Sequence, residues 1–138
     1  MDSDRYTRGL DVMRAMHGPN VETTLNNFFE GVSPEFGRYI VESGYGDVYG
    51  RQGLPLRERE LLTVALLAGL GVEADQLAVH LRGALALGVL PSEVVEAMFS
   101  VAVYAGHPRA VTALKVVREV FNELGVTGDS LDAGRSHD

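Results

Sequence analysis

Between residues 5 and 124, apolar side chains recur at spacings of three and four, and no stretch keeps the period-two alternation of a half-buried strand. That period calls for an all-α fold, a compact bundle of about six to seven helices. Glycine and proline divide it. A first helix is expected from about Asp4 to Met16, with Tyr6, Leu10 and Met13 on one stripe and Gly18-Pro19 closing it. A second covers roughly Val21 to Glu30. Ser33-Pro34-Glu35 then supplies an N-cap, a first-turn proline and an acid at the positive helix end, so a third helix begins there. The glycine-rich stretch Gly44 to Gly53, with Tyr45 and Tyr49 four apart, reads as its frayed end entering a loop. A glycine phosphate loop would need a preceding strand, and none is expected.

Two later helices are apolar nearly all round. The first, Leu56 to Leu70, is charged only in its first turn and is expected to be central; the second opens at Pro91-Ser92-Glu93 and runs to Ala105. Between them lies a helix from about Ala74 to Leu87, ended by Gly88. Gly106-His107-Pro108 breaks the chain, and Arg109 to Leu124 follows with Val111, Leu114, Val117, Val120, Phe121 and Leu124 as its inner stripe. Short neighbours cannot cover two all-apolar helices, so an oligomer is expected. Residues 1–125 are read as a single domain and 126–138, rich in Gly, Ser and Asp, as a disordered tail.

Composition removes several function classes. The chain has no cysteine, which excludes thiolate nucleophiles, disulfides and Cys-type metal sites. A net charge of -7 with no basic run argues against nucleic acid as a partner. The apolar stretches fall well short of the ~20 residues that span a bilayer, so no membrane is expected either. Met1-Asp2-Ser3-Asp4-Arg5 is polar with no charged-then-apolar leader after it, and the expected location is the cytoplasm. Lys115 is the sole lysine; it falls on the outer side of its helix and does not suit a Schiff base.

Two residues stand out as chemistry. Glu60 is the last charge before a long uncharged run, which places its carboxylate at or within the core. A buried carboxylate must be paired or held neutral, and a neutral one can act as an acid. The competing reading is a salt bridge to Arg57 or another arginine. His80 sits mid-helix, where Gly83 permits close approach of another segment; its competing reading is a half-buried histidine satisfied by a neighbour. Glu58 and Arg59 read as surface charges. His107 precedes a helix-opening proline, where a plain helix cap competes with a hydrogen-bonding role near a site. No His-x-x-x-His or Glu-x-x-His spacing occurs, so no metal is expected.

Tyr6 to Gly9, Gly37-Arg38-Tyr39-Ile40-Val41-Glu42, Gly46-Asp47-Val48-Tyr49, Arg57 to Leu61, Gln76 to Leu85 and Ala102-Val103-Tyr104-Ala105-Gly106 together resemble the γ-carboxymuconolactone decarboxylase family. The resemblance spans about residues 5 to 124 and implies an all-α, alkylhydroperoxidase D-like bundle assembled as trimers or hexamers. In the thiol peroxidases of that superfamily a helix carries Cys-x-x-Cys-x-x-x-His. Here the stretch is Glu73-x-x-Gln76-x-x-x-His80, so the histidine is present without either sulfur. His107 is a departure, because a bulky apolar residue usually follows the Ala-Gly pair.

The resemblance implies a cofactor-free decarboxylase of γ-carboxymuconolactone in the β-ketoadipate route of aromatic degradation. Loss of CO2 leaves a dienolate on the lactone carbonyl, which needs a donor at that oxygen, an apolar wall for the departing carboxylate and an acid for the carbanion. His80 is assigned as the acid, Glu60 as its orienting partner, and Arg38 or Arg82 as carboxylate binders, with Tyr45, Tyr49, Tyr104 and His107 as further substrate-binding candidates. Two alternatives stand beside it. One is an isomerase, cyclase or related acid/base enzyme on another enolisable substrate, motivated by His107. The other is a non-catalytic, ligand-binding helical oligomer, in which His80 and Glu60 point into separate packing layers. The helices bearing them are expected to pack antiparallel, yet Glu60 lies roughly 16 Å and His80 roughly 10 Å along the helix axes from the link at Gly71 to Glu73. Their side chains must therefore bridge about 6 Å of mismatch to meet.

Overall fold

Ser3 Oγ accepts the Tyr6 amide and starts the first helix, α1 (Asp4–His17), which Gly18 ends at φ 92°. The computed structural model describes residues 3–132, and every regular element among them is helical. The described residues divide into two compact units, 3–56 and 57–132.

In the first unit α1 is followed by α2 (Val21–Phe29) and α3 (Pro34–Tyr39), the latter capped by Ser33 Oγ on the Phe36 amide at 3.2 Å. Instead of fraying, the chain runs on from α3 into a π-helical segment, Ile40–Tyr49, closed by Gly50 N–H on the Tyr45 carbonyl at 2.8 Å. The reason is backbone contact. A Cβ on Gly9 would overlap the Val41 carbonyl, and one on Gly46 would overlap the Arg5 carbonyl, so α1 and the π segment touch where both lack side chains. Leu10, Met13 and Met16 of α1 are buried, as are Val41 and Tyr45 of the π segment.

The second unit contains α4 (Leu56–Leu70), α5 (Ala74–Ala86), α6 (Pro91–Ala105), α7 (His107–Leu124) and α8 (Gly128–Asp132). Its core is Val64 and Ala68, Leu77, Leu81 and Ala84, Val94, Met98 and Val101, and the inner face of α7. The expected central helix is displaced. α4 buries only the stripe Glu60, Val64 and Ala68 and exposes Leu62, Leu66 and Leu70, whereas α7 lies along both α5 and α6. The buried stripe of α7 is also turned from the expected one: Ala110, Ala113 and Val116 point inward with Val117, Val120 and Phe121, while Val111, Leu114 and Leu124 are exposed. Small residues let α7 approach its neighbours closely, which a reading by hydrophobicity undervalues. The expected tail is structured through Asp132, because α8 lies against α6 and Leu131 packs on the core; residues 133–138 lie outside the described residues.

Candidate active site

Glu60 is turned inward by the register of α4, one turn before Val64 and two before Ala68. Among the described residues it is the one charged side chain that is fully buried, at 0% exposure. On α5, Leu77, Leu81 and Ala84 anchor the helix in the core, and His80 between them keeps 17% of its side chain exposed. Glu60 Oε1 and His80 Nδ1 are 2.6 Å apart, a direct contact that spans the expected mismatch. Glu60 Oε2 is buried and has no hydrogen-bond partner.

An ionised carboxylate can only accept, so with Glu60 ionised His80 Nδ1 is the donor of this contact. The carboxylate also orients the ring, as in other carboxylate–histidine pairs. A dry anchor beneath a partly exposed imidazole is an arrangement able to hold and release a proton.

The competing salt bridge from Arg57 to Glu60 does not form. Arg57 instead pairs with Glu93 and donates to the Gly88 carbonyl at 3.3 Å, while Glu93 also accepts the Leu90 amide at the start of α6. Arg59 departs from its expected surface role: it is half-buried, and its Nε is buried without a partner.

The other candidates are distributed as follows. Arg82, a candidate carboxylate binder, pairs with Glu123 through two bonds of 2.7 and 3.1 Å. That hydrogen-bonded pairing raises the Arg82 pKa and lowers that of Glu123. In the first unit Arg38 donates to Glu42 at 3.2 Å and stacks 4.5 Å over the Tyr6 ring. Tyr45 and Tyr49 stack with ring centres 5.1 Å apart, and the Tyr45 hydroxyl meets His17 Nε2 at 3.1 Å. Tyr104 is 91% exposed and lines an apolar groove with Leu62, Leu66, Leu70 and Ser100, which neither His80 nor Glu60 lines. His107 is exposed and is the first residue of α7. Sequence reasoning missed Glu93 and Glu123, whose roles depend on arginines 36 and 41 positions away. No three His, Asp or Glu side chains converge on a metal-sized site among the described residues, and no helix there is long and apolar enough to cross a membrane.

Fold and pair together define a thiol-free helical protein with a buried carboxylate against a partly exposed imidazole. The sequence model of the carboxymuconolactone decarboxylase family matches residues 34–119, and the chain belongs to that family. It is 34% identical over 132 residues to a 4-carboxymuconolactone decarboxylase of Acinetobacter baylyi, covering 95% of this chain and 97% of that one. It is 32% identical to a nitrosuccinic acid decarboxylase of Metarhizium robertsii, covering 90% of this chain and 86% of the relative. An uncharacterized 15.0 kDa protein of Paracoccus denitrificans is 29% identical, with 83% and 86% covered.

Proposed function

We propose that the chain is a cytoplasmic decarboxylase of γ-carboxymuconolactone (4-carboxymuconolactone), releasing CO2 and the β-ketoadipate enol-lactone within aromatic catabolism. The observation that carries this reading is the 2.6 Å contact between a fully buried Glu60 and a partly exposed His80. The relative named for this activity, matched over nearly its whole length, adds the substrate.

In the proposed reaction the bond from the γ-carbon to the carboxylate breaks, and its electron pair spreads onto the lactone carbonyl as a dienolate. His80, protonated and held by Glu60, delivers its Nε2 proton to the carbanion; the neutral ring then recovers a proton from water. Apolar surroundings favour departure of uncharged CO2 over a retained carboxylate. Arg82 is occupied by Glu123 and Arg38 by Glu42, which weakens both as carboxylate binders; they stay within the same proposal with Tyr45, Tyr49, Tyr104 and His107. A candidate whose substitution changes neither kcat nor KM drops out of it.

Measuring CO2 release from the lactone tests the reading. Wild type turns over, His80→Ala loses about 10²- to 10⁴-fold in kcat, and Glu60→Gln loses activity while keeping a carbonyl acceptor for His80. Unchanged turnover in His80→Ala removes the histidine from the chemistry. A second reading keeps decarboxylation and changes the acid, because the Metarhizium relative is named for nitrosuccinic acid. Release of CO2 from nitrosuccinate but not from the lactone would favour it.

We also infer a trimer or hexamer. The support is the apolar groove of α4 and α6, about 300 Å³, flanked by exposed Leu66, Leu70, Phe99 and Val103. Leu66→Glu should lower the mass measured by light scattering.

A further inference from the structure

A second cavity lies at the opposite end of α4 from Glu60. It measures about 290 Å³ and is lined by Leu67, Ala68, Val72 and Leu77, by Ala113 and Val116 of α7, and by two polar side chains, Arg109 and Thr112. No acidic residue lines it, and neither His80 nor Glu60 does.

The cation in this cavity is built in. Arg109 Nη1 donates to the Leu70 carbonyl at 2.9 Å, which fixes the guanidinium at the end of α4. Gly71 makes the seat possible on two counts: its φ of 69° disfavours any side chain, and a Cβ there would overlap the guanidinium itself. Arg57 and Arg82 are neutralised by Glu93 and Glu123, but Arg109 has no carboxylate partner among the described residues. Arg109 is exposed, so its charge stands at the mouth of the cavity it lines, with donors to spare. The N-terminus of α7 adds to it: no side chain caps that end, no acid lies in the first turn, and the positive end of the helix dipole sits beside Arg109.

We propose that this cavity is a binding site, distinct from the Glu60–His80 pair, for a small carboxylate with a flat or compact apolar body. The apolar walls take the body, and Arg109 with the Thr112 hydroxyl takes the anion. The volume sits at the lower edge of about 300–1,000 Å³ for ligand pockets, which limits the occupant to about one ring. The pocket shares Ala68 and Leu77 with the two helix faces that carry Glu60 and His80, one wall residue in line with each. An occupant would thus press on both helices without touching the pair.

Titration calorimetry of the full-length protein with benzoate, benzyl alcohol and acetate tests this. Benzoate should bind one per chain and more tightly than benzyl alcohol, which lacks the charge, or acetate, which lacks the ring. Arg109→Gln should weaken benzoate about tenfold or more and leave benzyl alcohol within about twofold. Ala74→Phe, a change at an exposed residue of the rim, should abolish binding of both by filling the cavity, and it keeps the test open if Arg109→Gln disturbs the end of α4. Glu60→Met with His80→Leu, which strands no charge, should leave benzoate affinity unchanged. No benzoate binding at millimolar concentration, full affinity in Arg109→Gln, full affinity in Ala74→Phe, or loss of binding in the folded double variant would each overturn the proposal.

Discussion

Replacing His80 by Leu should destabilise the protein far more than the loss of one hydrogen bond would. Glu60 is 0% exposed, and His80 Nδ1 supplies its sole side-chain hydrogen bond among the described residues, to Oε1; Oε2 already lacks a hydrogen-bond partner. Without His80 the carboxylate must stay charged in a dry site or bind a proton on folding, and either is unfavourable. Removing one member of a buried pair costs about 3–5 kcal/mol, against about 1 kcal/mol for an ordinary hydrogen bond. For 138 residues the unfolding entropy is about 0.3 kcal/mol/K, so the melting temperature should fall by about 10–17 °C. The double variant Glu60→Met with His80→Leu carries no stranded charge and should recover most of that loss, since apolar replacements of buried pairs are often neutral or better. Thermal unfolding followed by circular dichroism, at one fixed chain concentration, gives all three midpoints. A midpoint for His80→Leu within about 3 °C of wild type, or a double variant no better than the single one, would refute the claim that Glu60 depends on His80.

Three further outcomes are expected. Gly9→Ala should destabilise residues 1–56 by about 2 kcal/mol or more, because its new methyl group meets the Val41 carbonyl rather than a side chain able to move; hydrogen exchange of α1 and the π segment reads it. Arg82→Ala should leave KM for the lactone unchanged, since its guanidinium is already taken by Glu123, and a raised KM would return it to the site. Asp47 and Glu123 have carboxyl pKa values lowered below 3.8 and 4.5 by hydrogen bonds to Arg5 and Arg82; their contribution is therefore present above those values and lost as pH falls through the lower folded ones. Asp47→Asn with Glu123→Gln should flatten the acid limb of a stability profile, measured by unfolding between about pH 5 and pH 2.

Helix positions were largely legible because their signals are local. Pro34, Pro91 and Pro108 lie in first turns, Ser33 caps α3, and Gly18, Gly106 and Gly125 end helices at positive φ, each within a few residues of the feature it determines. The absence of cysteine likewise settled at once that no thiol chemistry is available. Direction was harder to read. α4 is apolar on nearly every side, so its composition could not say that Glu60, Val64 and Ala68 face inward while Leu62, Leu66 and Leu70 do not. The π segment was hidden for a related reason: glycines at 44, 46, 50 and 53 look like a loop unless one knows that Gly46 meets the backbone of α1. Pairings were beyond the sequence altogether. Glu60 and His80 are 20 residues apart, and Arg82 and Glu123 are 41, distances over which spacing carries no geometric information. Which carboxylate meets which cation follows from the packing of α4, α5 and α7, since a side chain finds its partner only after tertiary contacts have set the rotation of each helix.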